Sequence, residues 1–217
     1  MRLIRIPGVF RPRSDTWMLA RALRDEIGAG RRTVLDVCTG SGAVALTAAA
    51  GGAEATAIDV SRRSVATVRL NAALRRLRVR AHRGDLFGPV RGRRFDVIAT
   101  NPPYVPATSD VLPTSGPERA WDAGLDGRAL LDRICAEGPS HLAPGGVMLV
   151  VQSSICGTGA TVERLAAAGL RTEVKVRERG PLGPLMLRRV DDLERRGAIT
   201  PGQRDEEVVV IRAERPA

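Results

Sequence analysis

"VLDVCTGSGAVAL", residues 34–46, decides how this chain folds. It begins as a short apolar run broken by one acid, Asp36, which reads as a buried strand running into a turn. Gly40 and Gly42 follow at G-x-G spacing, and an alanine-rich helix opens directly after them. Glycine permits positive φ and close approach of a ligand to the backbone. The turn is therefore either a packing corner or the floor of a binding site. The next strand, "EATAIDV", carries a second acid, Asp59, at its end. Strand, acid, glycine turn, helix, strand, acid is an order that holds a nucleotide-type ligand, with the second acid accepting both hydrogens of a ribose diol.

Outward from this unit, β-rich runs alternate with helical segments. "DTWMLARALRDEIGAG" puts Trp17, Leu19, Ala20, Leu23 and Ile27 on roughly one helical face and ends in glycines. "SRRSVATVRLNAAL" predicts a helix with Ser61 as its N-cap. "LRVRAHRGD" and "FDVIATN" predict strands. After a loop from Pro102 to about Leu125 come a helix at "DGRALLDRICAEGPSHL", a strand at "GGVMLVVQS", a helix at "GATVERLAAAG" and a strand at "LRTEVKVRE". A stretch rich in Arg, Gly and Pro, residues 180–202, precedes the last strand, "EEVVVIRAE". This spacing is that of βαβ units, so the expectation is a doubly wound α/β fold in one domain, residues 1–217. Ligands in such folds sit beyond the carboxyl ends of the strands.

Net charge is +10 with a pI near 11.2, which favours an acidic partner. Every basic residue except Lys175 is arginine, a bias that resembles a compositional habit as much as a binding surface. The local groups at Arg75 to Arg83 and Arg91 to Arg94 are accordingly read as solvated surface. Cys38, Cys135 and Cys156 form no C-x-x-C pair and suit neither a disulfide framework nor a zinc knuckle. There is no signal-peptide core and no apolar run of about 18 residues. The expectation is a soluble, cytoplasmic protein with no membrane partner and no metal.

Both NAD and S-adenosylmethionine present an adenosine ribose to an acid after the second strand. Two features favour S-adenosylmethionine. Asp36 lies before the glycines, near where that ligand's amino-acid group would sit, whereas dinucleotide sites use backbone amides for a pyrophosphate. "RGDLF" then puts Asp85 at the end of the third strand, where it can accept the adenine amino group, with Leu86 as a neighbouring contact. The plain alternative for Asp85 is a turn former after Gly84. No Tyr-Lys or His-Asp pair suited to hydride transfer is evident.

Residues 100–104, "TNPPY", end the fourth strand on the same rim. The residue before a proline is pushed out of the helical region, and proline donates no backbone hydrogen bond. A planar nitrogen, in an amide or an adenine amino group, is a poor nucleophile because its lone pair is delocalised. An acceptor pair can take its two hydrogens and aim that lone pair at an incoming methyl. The Asn101 side-chain oxygen and the Pro102 carbonyl suit that task, and Tyr104 offers a ring for stacking. Pro102 and Pro103 stiffen the loop. Positioning of this kind supplies about 7–11 kcal/mol of a barrier in favourable cases, and acceptor oxygens help again as positive charge builds on nitrogen. The plain alternative is a proline-rich loop with no chemistry.

In that order and spacing, "VLDVCTGSG", "AIDV", "GDLF" and "TNPPY" resemble class I S-adenosylmethionine-dependent methyltransferases acting on planar nitrogens. "VFRPRSDTWMLARAL" and "AWDAGLDGRALLDRI" further resemble the HemK family of protein glutamine N5-methyltransferases. The resemblance spans about residues 8 to 155. It implies a Rossmann-like, mostly parallel seven-stranded sheet with an antiparallel pairing at its C-terminal edge. It assigns Asp36, Gly40 and Gly42 to the cofactor's amino acid and turn, Asp59 to ribose, and Asp85 and Leu86 to adenine. Asn101, Pro102, Pro103 and Tyr104 fall to the substrate amide, with Asn101 also bordering the cofactor. Pro12, Asp15 and Thr16 would close over the cofactor side, and Trp121 would line the substrate mouth or pack beneath its loop. S-adenosylhomocysteine would be the product.

The chain has no room for the N-terminal helical domain of bacterial HemK enzymes and looks more like the short branch of archaea and eukaryotes. Members of that branch methylate a glutamine of a class I release factor, in eukaryotes with a small activator subunit. The segment 180–202 has no counterpart in the resemblance and is expected to be an insertion or an exposed hairpin arm with a short helical piece. Alternatives are N6-adenine methylation of DNA or RNA, methylation of a small molecule, and a binding protein that keeps the cofactor without catalysis. The first would call for a target-recognition domain or an aromatic-rich groove, and an intact "NPPY" argues against the last.

Overall fold

The first strand, β1 (Thr33–Val37), is buried from Val34 onward because it lies inside the sheet. The structure, a computed structural model, describes residues 3–217, so the first two residues of the expected 1–217 unit lie outside it. Around β1 stand β2 (Glu54–Asp59), β3 (Val79–Arg83), β4 (Phe95–Thr100), β5 (Leu142–Ser153), β6 (Arg171–Pro181) and β7 (Asp205–Glu214). Their order is β3-β2-β1-β4-β5-β7-β6. The first five are parallel, and β7 runs antiparallel between β5 and β6. This is the mostly parallel seven-stranded sheet, with the antiparallel edge, that the resemblance implied.

Successive residues of a strand point to opposite faces, so an apolar strand covered on both sides feeds two cores. Val34 and Val97 pack under α1 (Ser14–Gly28), α2 (Ala43–Ala50) and α3 (Arg62–Leu74), with Leu23, Val44 and Val68. Leu35 and Ile98 pack on the other face under α4 (Ala129–Glu137) and α5 (Thr158–Ala167), with Leu131, Ile134 and Leu165. Each such side chain, fully buried, contributes about 1.5–3 kcal/mol. Ser61 caps α3 as expected, its Oγ accepting the Ser64 N–H at 3.3 Å. Among the described residues no helix is long and apolar enough to cross a membrane.

The segment 180–202 is not an exposed arm. β6 continues through Pro181, and two short helices follow, α6 (Pro184–Leu187) and α7 (Val190–Arg195). Leu182, Met186, Leu193 and Ile199 are buried together with Val105 in a third core, on which Tyr104 and Trp121 pack. Two arginines pin the segment to the loops beneath it. Arg189 pairs with Asp122 at 2.6 Å and donates to the Pro106 carbonyl. Arg196 donates to the carbonyls of Leu125 and Ala107. Helices of four and six residues are too short to show a 3.6-residue repeat, and their arginines mask the four apolar anchors.

Candidate active site

The carboxyl ends of β1 to β4 open onto a cavity of about 760 Å3. Asp36 is buried there, and its Oδ2 accepts the Thr39 hydroxyl at 2.5 Å and the Ala45 N–H at 3.0 Å. One carboxylate oxygen thus ties the strand to the glycine turn and to the first turn of α2. Burial pushes the Asp36 carboxyl up to about 7, opposed by those two hydrogen bonds, and the nearby Asp59 charge adds to the rise. Burial also raises Asp59, whose oxygens accept the N–H groups of Ser61 at 2.8 Å and Gly40 at 2.9 Å. The two glycines divide the alternatives that the turn left open. A Cβ on Gly42 would sit 2.9 Å from Val68 of α3, so that glycine serves packing. A Cβ on Gly40 would meet nothing within 4 Å, and Gly40 lines the cavity. Of the two, Gly40 is the one that leaves room for a ligand.

Leu86 is buried on the cavity wall with φ of +41°. Asp85 also reaches the cavity but is exposed and held by Arg133, at 2.7 Å and 3.3 Å to its two oxygens. An adenine amino group would have to share that carboxylate with a guanidinium. Arg133, on α4, was not anticipated. Cys38 lies on the wall too, and burial with Asp59, Asp36 and Asp85 nearby pushes its thiol far up, which leaves it no nucleophile. The cavity fits the adenosine and amino-acid parts of S-adenosylmethionine in its donor set. A buried carboxylate, Asp36, and a half-buried one, Asp59, line it beside an apolar wall of Ile58, Leu86 and Leu130.

A second cavity, about 100 Å3, lies beside it and shares Phe10, Asn101, Pro103 and Ala120 with the first. It also touches Asp15, Pro102, Tyr104 and Trp121, and residues 183–186 of the third core close it. Asn101 stands between the two. Its Nδ2 donates to Asp15 Oδ2 at 3.0 Å and to Thr16 Oγ1 at 3.2 Å. The Tyr104 hydroxyl donates to the same Asp15 oxygen at 2.9 Å. Burial, then the Asp15 charge, raises the Tyr104 phenol, so it stays a donor. Asn101 Oδ1 is buried with no hydrogen-bond partner. An unpaired buried acceptor costs about 1–3 kcal/mol, and this one is held in place by bonds to the other end of its amide.

Other residues hold that geometry. Val105 N–H donates to the Trp121 carbonyl at 2.8 Å, and Ala123 N–H donates to the Val105 carbonyl at 3.1 Å. The "AWDAGLDG" segment thus runs beside the chain just after Tyr104. Gly127 has φ of +72°, and a Cβ there would lie 2.5 Å from the Tyr104 carbonyl oxygen. Pro12 and Thr16 line the larger cavity, whereas Asp15 lines the smaller one. Trp121 is half-buried: it lines the smaller cavity, its ring centroid 6.1 Å from that of Phe10, and also packs on the third core. Sequence reasoning missed the part Asp15 plays toward Asn101 and Tyr104. An acid in the first turn of a helix is explained locally by the helix dipole, and nothing local points 86 residues onward.

The profile of the methyltransferase small domain family matches residues 1–113. A Methanocaldococcus jannaschii protein that carries the provisional name of protein N5-glutamine methyltransferase is 34% identical over 182 residues, 83% of this chain and 90% of its own. The release factor glutamine methyltransferase of Deinococcus radiodurans is 40% identical over 146 residues, and the match spans 64% of this chain but only 52% of that enzyme. Among solved structures, the E. cuniculi Mtq2–Trm112 complex, described as responsible for methylation of the eRF1 translation termination factor, aligns with a TM-score of 0.66 at 21% identity. That match covers 96% of this chain and 99% of that one, a likeness of fold. With the rim acids and the "NPPY" turn in place, the chain belongs to the methyltransferase small domain family and is a methyltransferase of the HemK type.

Proposed function

We propose that this enzyme methylates the side-chain amide nitrogen of a glutamine, and that its substrate is a peptide chain release factor in the cytoplasm. The carrying observation is Asn101, pinned through its nitrogen and left with a free, buried oxygen between two cavities. S-adenosylmethionine, bound in the larger cavity through Asp36, Asp59, Asp85 and Leu86, supplies an electrophilic methyl group and leaves as S-adenosylhomocysteine. Asn101 Oδ1 and the Pro102 carbonyl accept the two hydrogens of the substrate amide and aim its lone pair toward that cavity. Pro103 and the Tyr104 ring flank the plane of the amide, and Trp121 borders its entrance. Asp15 holds Asn101 and Tyr104 in register, so little reorganisation remains to be made on binding. As positive charge grows on nitrogen, the two acceptor oxygens stabilise it, and the proton leaves to solvent after transfer. The small cavity, closed by residues 183–186, suits a linear amide better than a fused purine ring, which favours glutamine over adenine. A labelled-methyl assay offering a release factor, a ribosomal protein, duplex DNA and RNA side by side tests the reading. Incorporation into the release factor is expected, and incorporation into nucleic acid alone would overturn it.

A further inference from the structure

Residues 62–94 hold eleven arginines and a single acid, Asp85. They carry the whole excess of +10, because the 23 basic and 23 acidic side chains elsewhere cancel. A general bias toward arginine would spread its charge, so composition does not account for this placement. Ten of the eleven are exposed. Seven of these, from Arg62 to Arg83, stand on α3, β3 and the turn between them, at the outer edge of the sheet where β3 is the terminal strand, while Arg91, Arg93 and Arg94 lie just before the inner strand β4. Arg62 and Arg69 stand about 10 Å apart along α3, and Arg69 leans over β3 to donate to the Ala81 carbonyl at 2.8 Å. Arg80 and Arg83 rise from β3 itself, and Arg76 and Arg78 continue the row to the amino end of the strands. Arg80 has an acid partner, Glu54 at 3.2 Å, whereas Asp85 is already taken by Arg133.

The exposed leucines of α3, Leu70 and Leu74, lie off this line, Leu70 about 100° round the helix from Arg69. Within this segment Phe87 is buried and the His82 ring is half-buried, so no exposed ring offers a platform on which bases could stack. A long row of guanidinium groups with few acids and no exposed ring matches phosphates rather than bases. We propose that the α3–β3 edge docks the enzyme on the phosphate backbone of folded, double-helical RNA. The choice of RNA over DNA rests on the proposed substrate, since a release factor works beside folded RNA. The row begins at Arg62 and Arg83 on the lip of the cofactor cavity and leads away from the small cavity. Bound RNA therefore leaves the protein substrate's entrance open.

The test is fluorescence anisotropy with a labelled RNA duplex, a DNA duplex of equal length, and polyglutamate. One variant changes Arg69, Arg76, Arg78 and Arg80 to serine, four exposed side chains of the α3–β3 edge away from both cavities. A control changes Arg21, Arg171, Arg177 and Arg179 to serine, removing equal charge at the opposite edge, where each is paired with an acid. Wild type should bind the RNA duplex with a dissociation constant of about 10⁻⁴ to 10⁻⁶ M near physiological salt. The first variant should lose more than tenfold and flatten the log–log salt dependence by about 3 to 4, while the control changes less than twofold. Equal losses in both variants, no RNA binding, or tighter binding of DNA or polyglutamate would overturn the proposal. Methyl transfer to release factor without RNA should be unchanged in the first variant. Failure of the docking surface and failure of the substrate assignment are thus separate results.

Discussion

The two cavities that meet at Asn101 are built in different ways. The larger takes its polar wall from Asp36, Asp59 and Asp85, each placed by the end of its own strand and the turn that follows. The smaller is assembled from four distant stretches: residues 10–15, the "NPPY" turn, residues 120–121 and residues 183–186. A local construction withstands the loss of one side chain with its shape intact. A composite one depends on the few bonds that hold its pieces in register. Damage to the first should therefore appear as lost cofactor affinity, and damage to the second as lost turnover.

The largest effect separates the two most sharply. Asn101→Ala should lower transfer by about 10²- to 10³-fold and leave S-adenosylmethionine affinity within a few-fold of wild type, as read by calorimetry. A parallel collapse of cofactor binding would place Asn101 in the wrong cavity. Asp59→Ala should do the reverse, weakening cofactor binding about ten- to a hundredfold through loss of charge-assisted hydrogen bonds. Unchanged affinity would move the ribose contact elsewhere. Asp15→Ala should reduce kcat by about tenfold, since it frees Asn101 and Tyr104 together. Asp15→Asn, which keeps an acceptor oxygen, should recover most of that loss, and a similar deficit in both variants would deny Asp15 its positioning role.

The smallest expected effect concerns pH. Asp36 is neutral below about 7 because burial disfavours its charge. Its ionised fraction, and with it the attraction for the cofactor's ammonium group, falls as pH falls through 7. Between pH 7.5 and 6.5 the affinity should drop about threefold, and Asp36→Asn should abolish that slope. The sign for the cofactor-free protein is opposite. A carboxyl with a raised folded pKa binds its proton more tightly folded than unfolded, so stability contributed by this group declines from about pH 4 to about pH 7.

The same contrast explains what could be read before any coordinates. β1, the glycine turn and Asp59 declare themselves within 27 residues, because strand, turn and helix each leave a local pattern. Asn101 was legible from its prolines, though its pinned amide was not, since Asp15 reaches it across 86 residues. The third core escaped notice for another reason. Leu182, Met186, Leu193 and Ile199 are spread among arginines and glycines in helices too short to show a period. Leu193→Ala should cost about 2–5 kcal/mol in urea unfolding, against little change for a solvated arm.

The central claim is that the amide clamp at Asn101 acts on a glutamine side chain. Its most direct measurement is mass-spectrometric mapping of the methyl group on release factor after incubation with the enzyme and isotopically labelled S-adenosylmethionine. The account predicts the label on the amide nitrogen of one glutamine, absent with Asn101→Ala. Label on a lysine or on the chain terminus, or retained by that variant, would contradict it.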